Sequence, residues 1–224
     1  MTLDFAMLAC SVVMEGLLLG ILMRRGIGRR LPWFCVYIAW SLVSDVAGWV
    51  ALGISSTFYM RFYLCETLIE CVLQFAVLLE LAWSMLRSIH ATLDKRNVWL
   101  VGAALFLAGM MLWPWASAEV PRQLTGPLPL LMHLELTVSL LRILCMVAIV
   151  AASRAFAIGW RDGELQVAAG LAFYSICSFI VTVIHSHAST YSPLLDRTRT
   201  AIYLGVLGYW IVQFAREPAR RAAL

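Results

Sequence analysis

The chain has 224 residues, 62% of them hydrophobic and 13% charged, with a formal net charge of +4 and a mean hydropathy of +0.85. That apolar fraction exceeds what a water-soluble domain of this length can bury, so the composition excludes an ordinary globular enzyme and a disordered chain. It predicts an all-α polytopic membrane protein whose first partner is the lipid bilayer, and the modest positive charge calls for no nucleic acid.

Seven apolar stretches, at about 3–23, 33–54, 58–86, 97–116, 129–152, 165–187 and 199–215, are long enough at about 1.5 Å per residue to cross about 30 Å of hydrocarbon. Each is one long run, which fits a helix better than the short alternating strands of a barrel. The first run is preceded by Met1-Thr2-Leu3-Asp4 and followed by arginines, the wrong order for a cleaved secretion signal, and is expected to stay as a helix. Gly26, Gly28 and Pro32 break the first connection, and Pro114, Pro121, Gly126, Pro127 and Pro129 punctuate the fourth. The expected architecture is a single seven-transmembrane-helix bundle over residues 1–224.

Basic residues beside the spans give an orientation, because Lys and Arg are retained on the cytoplasmic side. One side collects twelve, from Arg24, Arg25, Arg29 and Arg30 through Arg87, Lys95, Arg96, Arg154 and Arg161 to Arg216, Arg220 and Arg221. The other holds four: Arg61, Arg122, Arg197 and Arg199. This predicts an N-terminus outside, a C-terminus in the cytoplasm of a bacterium-like cell, a place in its inner (plasma) membrane, and basic inner loops available to a cytoplasmic partner protein. The cysteines Cys10, Cys35, Cys65, Cys71, Cys145 and Cys177 all fall within predicted spans and are expected to be reduced packing residues.

Helical spacing then shows which faces are polar, since residues three or four apart share a face. The second span offers Tyr37, Ser41, Ser44, Asp45 and Gly48, and the third offers Tyr59, Tyr63, Glu66, Glu70 and Gln74, with Glu80 beyond. The fifth adds Glu135, Ser139 and Arg142, the sixth Ser175, Ser178, Thr182 and His185, and the first Ser11 and Glu15. One charge at the bilayer centre costs roughly 2.5–3.5 kcal/mol, so these faces turn inward. The spans hold the acids Glu15, Asp45, Glu66, Glu70, Glu80 and Glu135 against the single cation Arg142. Arg142 is placed to reach an acid on a neighbouring helix, such as Glu66 or Glu70. Glu15 and Glu80 suit interhelical hydrogen bonds, while Asp45, Glu66, Glu70, Gln74, Glu135, Arg142 and His185 form the expected ligand-binding set, in a cavity between the second, third, fifth and sixth spans.

An acid-rich polar interior points to a small polar or cationic ligand, or a proton, bound by a receptor-like sensor or a small transporter. No cofactor is implied. A retinal pigment needs a lysine in the last span, whereas the only lysine is Lys95 in a loop. The Asp-Arg-Tyr and Asn-Pro-x-x-Tyr signatures of receptors coupled to G proteins are replaced by Ser84-Met85-Leu86-Arg87 and Tyr209-Trp210-Ile211-Val212. An intramembrane metal-dependent lipid hydrolase is the alternative, drawing on His133, His185 and His187. The two-residue steps His185-Ser186-His187 and His133-Leu134-Glu135 point apart on a helix, so no metal site is assigned. A purely structural or interaction protein is the remaining alternative.

Overall fold

The computed structural model describes residues 2–54, 56–89, 97–118, 128–155, 162–187 and 193–216. Among them are seven α-helices: α1 (Thr2–Arg24), α2 (Pro32–Ile54), α3 (Ser56–Ile89), α4 (Asn97–Ala118), α5 (Leu128–Ala155), α6 (Asp162–His187) and α7 (Pro193–Arg216). The fold is all-α.

Local chemistry sets the first turn. α1 stops where Gly26 takes φ 68°, a left-handed conformation that costs glycine nothing, and the Gly26 amide closes onto the Met23 carbonyl. α2 starts at Pro32, whose missing N–H is no loss at a first helical position. Its next two amides, Trp33 and Phe34, donate to Glu80 Oε1 and Oε2 at 3.1 Å each. A carboxylate on α3 thus caps α2, which accounts for one intramembrane acid by structure alone.

The expectation of seven membrane spans is corrected to four. Only Leu3–Arg24, Pro32–Ala51, Arg61–Ser84 and Gln166–Ile184, among the described residues, are long and apolar enough to cross a bilayer. Among the described residues the apolar stretches of α4 and α5 are Gly102–Pro114 and Leu136–Val147, which do not qualify as spans. α7 opens on a polar segment holding Asp196, Arg197 and Arg199, which shortens what remains. The seven-helix transmembrane bundle falls with that count, and so does the orientation obtained by alternating across seven crossings. What stands is a multi-pass membrane protein with four long apolar helices.

Helix neighbours run α1–α2–α3–α5–α6–α7 and back to α1, closing a ring of six, with α4 outside it against α3 and α5. α1 and α7 lie parallel: Arg197 meets Asp4 where both helices begin, and Arg25 Nη2 donates to the Ala215 carbonyl at 2.7 Å where both end. The ring is apolar outside, with Val72 67% and Val13 60% exposed, and polar inside, with Glu15 0% exposed and Ser175 and Ser178 buried. That inversion suits lipid, where no hydrophobic effect drives helices together and polar side chains must find partners within the protein.

The ring interior has two halves. Toward the ends of α1 and α7, Leu18, Leu22, Phe34, Ile38, Val77, Leu81, Leu207, Trp210 and Phe214 form an apolar plug. Phe34 meets Trp210 edge-on at 5.0 Å between ring centroids. Gly170 lets α6 approach α7 closely, because a Cβ there would lie 2.4 Å from Trp210 Nε1, which in turn donates to the Gln166 carbonyl. The other half of the ring is hollow.

Candidate functional site

The hollow half is a cavity of about 650 Å³, within the range of small-molecule sites. Every helix of the ring contributes: Ser11 from α1, Tyr37, Trp40, Ser41, Ser44 and Asp45 from α2, Tyr63, Glu66, Thr67, Glu70 and Gln74 from α3, Arg142 from α5, Tyr174 from α6, and Arg197, Arg199, Thr200 and Tyr203 from α7. At one end it reaches the exposed pair Asp4–Arg197, bonded at 2.8 and 3.2 Å. The carboxylate beside it raises the Arg197 guanidinium above its usual range. At the other end the apolar plug closes it.

Helix spacing sets the order of groups with depth. Ser11 on α1 donates to Asp45 Oδ2 on α2 at 2.6 Å, and Ser44, whose hydroxyl donates to the Ser41 carbonyl at 3.0 Å, lines the cavity with Glu66 of α3. One turn deeper, Glu70 Oε1 accepts from Gln74 Nε2 at 2.7 Å, with Tyr37 Oη 3.5 Å away. Beside them, between α1, α2 and α7, Ser41 Oγ and Tyr203 Oη both reach Glu15 Oε1, at 2.7 and 2.5 Å, and lie 2.9 Å from each other. Burial raises the Tyr203 phenol well above its ordinary range, so it stays protonated and donates. Glu15 Oε2 has no hydrogen-bond partner among the described residues.

Arg142 stands apart. It is 3% exposed, its Nη2 donates to Ser139 Oγ at 3.1 Å, and its guanidinium carbon lies 5.6 Å from the Tyr174 ring centroid. Its Nε and Nη1 have no hydrogen-bond partner among the described residues, and neither has Trp40 Nε1. The expected reach to Glu66 or Glu70 is replaced by a bond within its own helix.

Of the residues singled out from sequence, Asp45, Glu66, Glu70, Gln74 and Arg142 line this one cavity. Glu135 and His185 sit on α5 and α6, but their side chains lie outside the described residues, as does that of His187. The loop residues Lys95, Arg96, Arg161, Arg220 and Arg221, expected to meet a cytoplasmic partner, also lie outside them. His133 is turned elsewhere: its Nε2 is 2.7 Å from the Trp113 carbonyl and its ring 3.8 Å from that indole, joining α5 to α4. Among the described residues no group of three or more His, Cys, Asp or Glu is arranged to hold a metal. All six cysteines are free.

The sequence places Ser11 and Glu15 of α1 on an inward face but not beside the cavity, and α7 goes unmarked. Arg197, Thr200 and Tyr203 recur every three residues, a one-face pattern of the kind used for the other helices. It was obscured by treating α7 as a plain apolar span.

No protein-family model matches the chain, and neither a curated protein nor a solved structure shows significant similarity to it.

Proposed function

We propose that this chain, a multi-pass protein of the plasma (inner) membrane, binds a small polar ligand bearing a positive group and acts as a receptor-like sensor. The observation that carries the reading is the meeting of Asp45, Glu66 and Glu70, from two helices, in one cavity closed by an apolar plug at its far end. Three carboxylates around a space of that size offer charge-assisted acceptors to an ammonium group, and the ligand's charge offsets their mutual repulsion. Binding that draws α2 and α3 together would move the α1–α2 turn, where Arg24, Arg29 and Arg30 are exposed and could meet a partner protein.

The plug favours sensing over passage, because Phe34, Trp210 and Phe214 fill the route beyond the cavity. Proteoliposomes carrying the full chain test this with radiolabelled ethanolamine. Saturable retention without entry into the lumen is expected. Carrier-type flux that disappears in Glu70→Gln would replace the sensor with a transporter, and no retention at all would end the ligand-binding reading.

A further inference from the structure

We propose that the ligand is zwitterionic, its anionic group seated on Arg142 and its ammonium group on the carboxylates nearer the cavity mouth. This rests on the cavity being a ligand site and names the chemistry of what it takes.

The acids alone would suit a plain cation, but they leave Arg142 unexplained. Its guanidinium is 97% removed from solvent by its 3% exposure, lines the cavity, and has two nitrogens, Nε and Nη1, without a hydrogen-bond partner among the described residues. Buried donors normally find acceptors, and a buried unpaired charge is strongly unfavourable. The π face of Tyr174 and the hydroxyl of Ser139 compensate only in part. A planar fork with unused donors is matched by a carboxylate or phosphate, which accepts two parallel N–H bonds. Trp40 Nε1, also on the cavity wall and also unpartnered, is a further donor suited to an anion's acceptor oxygen. Turning the fork toward a ligand gives up the Ser139 bond and shifts the contact with Tyr174.

Position separates the two charges. Arg142 lies over the Tyr174 ring, which meets the Tyr203 ring at 5.7 Å, so the cation belongs to the deep level of Tyr203 and Glu15, beside Glu70 and Gln74. Glu66 and Asp45 lie toward the mouth, one to two helical turns away, about 5–11 Å along the axis. A ligand with its charges a few bonds apart spans that interval. The shared chemistry is an ammonium group linked to a carboxylate or phosphate, either in a free ω-amino acid or in the phosphoethanolamine headgroup of a lipid.

The test uses the full chain in nanodiscs of pure phosphatidylglycerol, with butylamine, butyrate and 4-aminobutyrate as probes, followed by thermal melting and equilibrium binding. 4-Aminobutyrate is expected to bind about tenfold or more tighter than butylamine, the effect of adding a charge-assisted bidentate contact. Arg142→Met should abolish that advantage, so that 4-aminobutyrate binds no tighter than butylamine. Because two of its nitrogens lack an acceptor among the described residues, the unliganded Arg142→Met protein should melt no lower than the wild type, which a structural arginine would not allow. If instead phosphatidylethanolamine added to the discs raises the melting temperature in an Arg142-dependent way and 4-aminobutyrate does not, the zwitterion is a headgroup. The proposal is overturned if butylamine binds but no zwitterion gains from Arg142, or if Arg142→Met lowers the unliganded melting temperature. If butylamine fails as well, the underlying site reading falls with it.

Discussion

Tyr203 Oη donates to Glu15 Oε1 at 2.5 Å, joining helices whose partners stand 188 positions apart in sequence. With Ser41 bonded to both, α1, α2 and α7 are tied at the boundary between the hollow and the plugged halves of the ring. A carboxyl group that would be unfavourable in lipid becomes the joint around which three helices are set.

Tyr203→Phe removes that donor without changing shape and should destabilise the protein by about 1–3 kcal/mol, read as a lower melting temperature in detergent. The tyrosine also imposes a pH dependence. Its folded-state pKa is raised, so its stabilising contribution is complete below about pH 10 and is lost as pH rises through the raised value. Stability should therefore fall in alkali, and fall less steeply in Tyr203→Phe. Identical alkaline slopes in the two proteins would show that Tyr203 keeps no proton in the fold.

Glu80 serves a different purpose, closing the N-terminus of α2 through two backbone amides. Glu80→Ala should lower stability by about 1–2 kcal/mol, as loss of a helix cap does, and Glu80→Gln by less, because one acceptor remains. Ligand affinity should not change, since Glu80 does not line the cavity. Weakened binding in Glu80→Gln with unchanged melting would reverse the assignment.

At Gly170 the available space decides the outcome. An added methyl group would lie 2.4 Å from Trp210 Nε1, and the rigid indole is held by its bond to Gln166, so α6 and α7 must separate. Gly170→Ala should destabilise by about 1–3 kcal/mol, and Trp210→Leu should recover part of the loss in the double variant. Additive losses would mean the two positions do not clash.

The Asp4–Arg197 pair is the clearest ion pair among the described residues and should contribute little to stability. Both side chains are exposed, where water screens their attraction. Arg197→Gln is expected to leave the melting temperature unchanged within error in moderate salt, and a clear drop would show that the mouth of the cavity is less wet than its exposure indicates.

The sequence made the polar faces legible because helical periodicity places Glu66, Glu70 and Gln74 on one stripe and Ser41, Ser44 and Asp45 on another, whatever surrounds them. It could not show how the stripes meet. The closing of the ring by α7, which brings Tyr203 to Glu15, depends on contacts between the two ends of the chain. Length was misjudged for a related reason: the apolar runs in α5 and α7 look long when Glu135 and Arg142, or Arg199, are tolerated within them, and short when a continuous apolar stretch is required. Nor could pattern alone distinguish Glu80, which serves backbone amides, from Glu70, which faces a cavity. The identity of the hydrogen-bond partner makes that difference.

The most direct measurement is an equilibrium titration of butylamine into the full chain in phosphatidylglycerol nanodiscs, repeated with Asp45→Asn and Glu66→Gln. One saturable site is predicted, weakened about tenfold or more by each substitution, since a charge-assisted hydrogen bond contributes about 1.5–3 kcal/mol and 1.4 kcal/mol is a factor of ten. Absence of saturable binding to the wild type, or equal affinity in all three well-folded proteins, would contradict a ligand site built on these carboxylates.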